Sequence, residues 1–333
     1  MKALVYLGPG RMELQDLPEP EPGPNEARVR VSTAAICGSD LHGFREASPR
    51  RIPPLVMGHE VVGTVEAVGG SVAESLEGTR VVAMPVVSCG ICARCVEGRP
   101  NLCPQRQLMG MNFPGAFAES FTIGASQLLS VPAALDDEEG ALTEPFANSI
   151  HSVERVVRTG DDVAVIGAGP IGLLAVRAAV LAGAERVFAV DTVADRLELA
   201  RAQGGVPVDA TEAAAALDEA TSGTGVDAVI DAAGYPSTWE LALSAVRWGG
   251  RIDVIGLGAV EGPISYHAVV SKGVTVVGSY ACVRSDFDRA LALLADGSAN
   301  VSSWITRMPL ADGQAAFEGL VENPRFTKVV LVP

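Results

Sequence analysis

Four cysteines crowd one short segment, at Cys89, Cys92, Cys95 and Cys103, with the spacing C-x2-C-x2-C-x7-C. Gly90, Gly98 and Pro100 supply turns that can bring the sulfurs together. Four thiolates can close a tetrahedral shell around one zinc ion and leave no open position, which makes a structural site; an iron–sulfur cluster uses the same ligands. Three other segments carry metal-binding side chains: Cys37-Gly-Ser39-Asp40-Leu-His42, Gly58-His59-Glu60 and Thr143-Glu144-Pro145. A catalytic zinc needs about three protein ligands and one exchangeable position. These segments can supply that only if the fold brings them to one point.

A different chemistry is written at Val163–Gly172, where the apolar run VAVI leads into GAGPIG and then into a helix-like pattern. Gly167 permits the tight turn, Gly169 lets a pyrophosphate approach the backbone, and Gly172 lets helix and strand pack closely. Pro170 and Ile171 open the helix, whose N-terminal amides favour phosphate. Asp191 stands nineteen residues beyond Gly172, at the end of the next strand-like run. A carboxylate there binds ribose hydroxyls and repels a 2′-phosphate, so NAD is expected over NADP. Arg196, one turn further on, could pack on adenine, pair with Asp191 or simply face solvent, and leaves some room for NADP.

The elements that must position these groups divide the 333 residues into two rhythms. Up to about Glu144 the chain is rich in Val, Gly and Pro. Short alternating runs there (Ala27–Val31, Val61–Val68, Val81–Met84) predict an irregular, mostly β domain with no long helix. Beyond it, strand-like runs at Val163–Ile166, Val187–Asp191, Val206–Val208, Ala228–Asp231, Arg251–Ile255 and Val274–Gly278 alternate with helix-like runs at Ile171–Ala182, Ala194–Gln203, Glu212–Ala220, Thr238–Trp248 and Ser265–Ser271. That alternation predicts a six-stranded, doubly wound parallel sheet. A helix at Phe287–Leu294 and a strand at Lys328–Val332 follow, too few for a domain, and should return to the N-terminal one. The expected division is 1–148 with 284–333, carrying a cysteine lobe at about 86–104, and 149–283 for the dinucleotide.

Composition narrows the partners. Forty acidic against 25 basic residues give a net charge of −15, which disfavours nucleic acid and anionic membrane surfaces. The apolar stretch Val163–Ala184 is long enough for a membrane span, but its glycines and proline suit a strand, a turn and a packed helix better. The N-terminus reads as a first strand, and clustered thiols with no secretion signal suit a reducing, cytoplasmic setting.

CGSDLH at 37–42, GHE at 58–60, the four-cysteine lobe, EP at 144–145, GAGPIG at 167–172 and Asp191 occur in that order. Together they resemble the zinc-dependent medium-chain alcohol dehydrogenases, and within them the polyol branch of sorbitol, threonine and galactitol-1-phosphate dehydrogenases. The resemblance spans essentially the whole chain and implies a GroES-like catalytic domain beside the Rossmann domain. It implies two zinc ions, NAD and a homodimer or homotetramer. Cys37 and His59 would bind the catalytic zinc. Glu60 and Glu144 would complete the shell, one directly and the other directly or through water. Ethanol-type relatives have cysteine where Glu144 stands, so the polyol branch is preferred. Asp40 would orient His59 through its other ring nitrogen. Zinc would stabilise the substrate alkoxide. Ser39 would take the proton and pass it through the nicotinamide ribose to His42 and solvent. Sugar-phosphate, amino-alcohol and aminocyclitol dehydrogenases are the neighbouring readings. A non-catalytic nucleotide-binding protein has no need of an open zinc site. Arg45, Arg50 and Arg51 lie between the zinc motifs and are expected to form a solvated loop, the alternative being contact with an anionic substrate.

Overall fold

The computed structural model describes residues 1–322 and 326–333, and these form two compact units, Met1–Glu144 with Val283–Pro333, and Pro145–Cys282.

In the second unit, six strands make one parallel sheet in the order Val206–Asp209, Arg186–Asp191, Asp162–Ile166, Val226–Asp231, Val246–Val254, Thr275–Gly278. In chain order this is 3-2-1-4-5-6, the doubly wound dinucleotide-binding arrangement. The central strands are buried almost end to end, as parallel strands covered on both faces must be. The helices Pro170–Leu181, Ala194–Ala202, Ala213–Ala220, Pro236–Ala245 and Tyr266–Lys272 lie between them in sequence. Thus Val163–Ala184 is a strand, a turn and a helix. Among the described residues no helix is long and apolar enough to cross a membrane. The helix expected to reach Trp248 stops at Ala245. Val246 already pairs with Val226, and a register shift follows where Gly249 turns at φ +70°. β-Branched Val246 and the two glycines favour that irregular strand entry over another helical turn.

In the first unit, Glu26–Ala35 is the spine of a seven-stranded sheet. Glu60–Val68 and Ser120–Gly124 pair along it. Lys328–Val332 returns antiparallel to its far end, Val330 opposite Ala35. Phe44, Phe117 and Phe317 pack together in its core, with the Phe44 ring tilted 5.2 Å from Phe317 and the Phe117 ring edge-on at 5.9 Å. One short helix stands among these strands, within the expectation of no long one: Gly38–Arg45 forms two turns. Its period is too short to read, but its start is well specified. The Asp40 carboxylate accepts from the Cys37 N–H at 3.1 Å, and the Cys37 sulfur accepts from the Ser39 N–H at 3.5 Å. Cys37 is therefore the cap of the helix.

Candidate active site

Three turns deliver the metal-binding side chains of the first unit. Cys37 caps the Gly38–Arg45 helix, Glu60 opens the strand Glu60–Val68 with His59 directly before it, and Glu144 lies in the first turn of the helix Thr143–Val156. Gly58 sets the approach of His59. It turns at φ +95°, and a Cβ there would stand 2.6 Å from the Phe117 ring, so only glycine fits. Single donor atoms of Cys37, His59 and Glu60 lie within 4.8 Å of one another, close enough to share one ion.

The charges around this point fit a divalent cation. Glu60 is 1% exposed and ion-paired with Lys328, itself 2% exposed, whose ammonium also donates to the Ile36 carbonyl at 2.9 Å. Glu144 is buried nearby and its charge reaches both His59 and Lys328. With Cys37 as a thiolate, four anionic groups (Cys37, Asp40, Glu60, Glu144) face two buried cations, Arg51 and Lys328. Two negative charges remain, which one zinc ion would balance. The same excess of negative charge acts on His59. Burial pulls the imidazole down, but Asp40, Cys37 and Glu144 outweigh it and hold His59 at about 10.

Asp40 differs from expectation. Its Oδ1 is 3.7 Å from His59 Nδ1, beyond a hydrogen bond, and that buried nitrogen has no hydrogen-bond partner. The carboxylate is engaged elsewhere: Oδ2 by the Cys37 N–H, and Oδ1 by Arg51 Nη2 at 3.0 Å. Arg51 is thereby corrected too. It is not solvated as expected: it is 4% exposed and donates to Ser39 O at 2.6 Å and Ser39 Oγ at 3.1 Å. Arg45 and Arg50 are exposed. His42 is exposed near the end of the same helix. Desolvation and the charges of Arg45 and Arg51 hold its imidazole below the usual value, hence neutral near pH 7. Lys328 was not expected in the site at all. The one clue in the sequence is a lysine opening an otherwise apolar run, KVVLV.

The cysteine lobe is closed. The Sγ–Sγ distances are 3.5 Å for Cys92–Cys95 and Cys89–Cys103, 3.8 Å for Cys92–Cys103 and 4.0 Å for Cys89–Cys95. A tetrahedron of sulfurs each about 2.3 Å from a zinc has edges of about 3.8 Å. The Ile91 and Cys92 N–H groups bring the Cys89 thiol down to about 6, so it is ready to bind as thiolate. Of the other cysteines, Cys282 is buried.

In the second unit, Gly167 turns at φ +94°, and a Cβ on Gly172 would sit 1.7 Å from the Gly167 carbonyl oxygen. The helix starts at Pro170, with Gly169 as an N-cap that has no side chain to occupy the helix entrance. Asp191 is buried, and its carboxylate accepts from the Ala168 N–H at 2.7 Å and the Val193 N–H at 2.9 Å. It ties the glycine turn to the neighbouring strand. Arg196 Nη1 stands 4.0 Å from it.

Two family models match the chain: an alcohol dehydrogenase GroES-like domain over residues 23–133 and a zinc-binding dehydrogenase domain over 170–296. The L-threonine 3-dehydrogenase of Saccharopolyspora erythraea is 36% identical over 99% of this chain and 98% of the relative. Among solved structures, the alcohol dehydrogenase of Thermus sp. ATN1 is 33% identical with a TM-score of 0.92, over 100% of this chain and 99% of that one. Galactitol-1-phosphate dehydrogenase of Escherichia coli is 25% identical with a TM-score of 0.92, over 100% of both. The chain belongs to the zinc-dependent medium-chain alcohol dehydrogenase family, in which it joins a GroES-like domain to a Rossmann domain.

Proposed function

We propose that this protein oxidises a polyol or a secondary alcohol and passes the hydride to NAD. Cys37 and His59 hold the catalytic zinc, Glu60 and Glu144 are the carboxylates that complete its shell, and Cys89, Cys92, Cys95 and Cys103 hold a structural zinc. The observation that carries this reading is the meeting of Cys37, His59 and Glu60 within 4.8 Å at a point whose buried charges call for a dication.

When bound, the catalytic zinc supplies Lewis acidity to the substrate hydroxyl. The rest falls to the chain. Gly58 and the helix cap at Cys37 fix the ligand geometry. Ser39 accepts the hydroxyl proton, and His42, neutral and exposed, carries it to solvent. The Gly167–Gly172 turn and the first amides of the following helix receive the pyrophosphate. Asp191, anchored by two backbone amides, meets the adenosine ribose and favours NAD over NADP. The inward turn of Arg51 supports neutral alcohols over the alternative of an anionic substrate group held by this arginine.

The protein is further read as a cytoplasmic homo-oligomer, its thiols kept reduced. The outer strand Thr275–Gly278 supports association, since it leaves Val276 41% exposed on an open sheet edge. A panel of polyols, secondary alcohols, amino alcohols and sugar phosphates, each with NAD and NADP, tests the activity. NADH formation from a neutral diol or secondary alcohol is expected. Turnover of no alcohol with either coenzyme would remove the reading.

A further inference from the structure

We propose that Arg51 is a positioning residue for proton transfer: buried beneath the helix Gly38–Arg45, its guanidinium fixes the Ser39 hydroxyl so that it takes one proton from substrate and passes one on. The proposal rests on the reading of Ser39 as the proton acceptor.

Two independent features single out Arg51. First, its donors converge on two consecutive residues. Nη1 binds the Ser39 carbonyl at 2.6 Å, while Nη2 binds Ser39 Oγ at 3.1 Å and Asp40 Oδ1 at 3.0 Å. Second, the helix is built around the side chain. Gly43 faces the arginine stem, and a Cβ there would come within 2.7 Å of Arg51 Cδ and 3.5 Å of Nε. Arg51 is 4% exposed, and burying a guanidinium is unfavourable unless it is paired and hydrogen-bonded. Asp40 is the partner, and the Ser39 hydroxyl shares the same nitrogen.

The consequence follows from the inventory of a hydroxyl, one hydrogen and two lone pairs. Arg51 fills one lone pair. The other lone pair and the hydrogen remain, enough for one proton in and one proton out. Because Arg51 can only donate, the Ser39 hydrogen cannot turn toward it and must point onward. Arg51 also stands between the hydroxyl and the Asp40 carboxylate, which would otherwise compete for that hydrogen. A fixed positive charge at 3.1 Å further favours a hydroxyl that is releasing its proton. A lysine at this position could reach one of these acceptors but could not fork across Ser39 and Asp40.

The test is a double-mutant cycle on the zinc-loaded enzyme. The variants are Arg51→Met, Ser39→Ala and the pair together, with zinc content and NADH binding measured on each. Arg51→Met is expected to keep its zinc and its coenzyme affinity, leave KM for the alcohol within about twofold, and lower kcat by about 10- to 100-fold, less than the roughly 10²- to 10⁴-fold of an acid–base group itself, because Arg51 acts through Ser39. The double variant should be no slower than Ser39→Ala, because Arg51 acts through that hydroxyl. Arg51→Lys should recover part of kcat. If the losses instead multiply, or if KM alone changes, Arg51 is only structural and the proposal falls while the Ser39 reading stands. If Ser39→Ala turns over like wild type, the Ser39 reading itself falls and takes the proposal with it. Should Arg51→Met fail to fold, Gly43→Ala, which displaces the arginine without removing its charge, carries the same cycle with the same two outcomes.

Discussion

Lys328 illustrates how much a single side chain decides here. Its ammonium is enclosed with Glu60 and the Ile36 carbonyl, on a strand whose other residues are Val and Leu. Removing one member of a buried ion pair leaves the other as an uncompensated charge, which costs about 3–5 kcal/mol. Lys328→Met should therefore lower stability to chemical denaturation by about that much, and adding Glu60→Gln should recover most of it. An unchanged denaturation midpoint in Lys328→Met would show that the pair carries no such weight. At Asp191, replacement by Ser is expected to weaken NAD and improve NADP, read as the ratio of the two kcat/KM values. Wild type already preferring NADP would remove the role given to this carboxylate. Side chains of this kind were unevenly legible. The residue types of Cys37, His59 and Glu60 announce metal chemistry wherever they stand. Arg51 and Lys328 do not, because whether a cation faces water or a buried carboxylate depends on contacts remote in sequence, 11 residues away for Arg51–Asp40 and 292 for Lys328–Ile36.

At the scale of elements, the site depends on backbone turns that accept only glycine. Gly58 combines φ +95° with a Phe117 ring where a Cβ would go, and His59 follows it directly. Gly58→Ala should fold less stably, by about 1–3 kcal/mol for backbone strain alone. It should also lose metal selectively, keeping the cysteine-lobe zinc while the His59 site empties. Equal retention of both ions would mean that this turn does not set the His59 geometry. The doubly wound sheet was readable because its strands are apolar runs punctuated by glycine turns, a pattern that buried parallel strands enforce. The two-turn helix Gly38–Arg45 was not, because eight residues with two glycines carry too little periodicity; its cap at Cys37 and Asp40 was the only local sign. The early end of the helix at Ala245 was hidden for a related reason. Val246–Trp248 continues an apolar pattern that helix and strand share, and pairing with Val226 decides it.

The whole molecule combines a coenzyme-binding unit with a unit that carries both metal clusters, and the two clusters should differ in what they hold up. The cysteine lobe ties a loop whose apolar Ile91 and Val96 are exposed rather than packed in a core, so Cys95→Ser should compromise folding, visible as loss of soluble protein or a lower Tm. The Cys37 cluster rests on the seven-stranded sheet and its phenylalanine core, so Cys37→Ser should fold and bind NADH yet be inactive. Association is tested separately, by light scattering: a dimer or tetramer is expected, and monomer alone at working concentration would contradict the role given to the Thr275–Gly278 edge. Whether the chain holds one catalytic and one structural zinc is decided by the metal content of washed protein, wild type beside Cys37→Ser, measured together with alcohol oxidation. Two zinc ions per chain and activity are expected in the wild type, and one zinc with a folded, inactive protein in Cys37→Ser. Iron in place of zinc, or a single ion per chain with full activity, would contradict it.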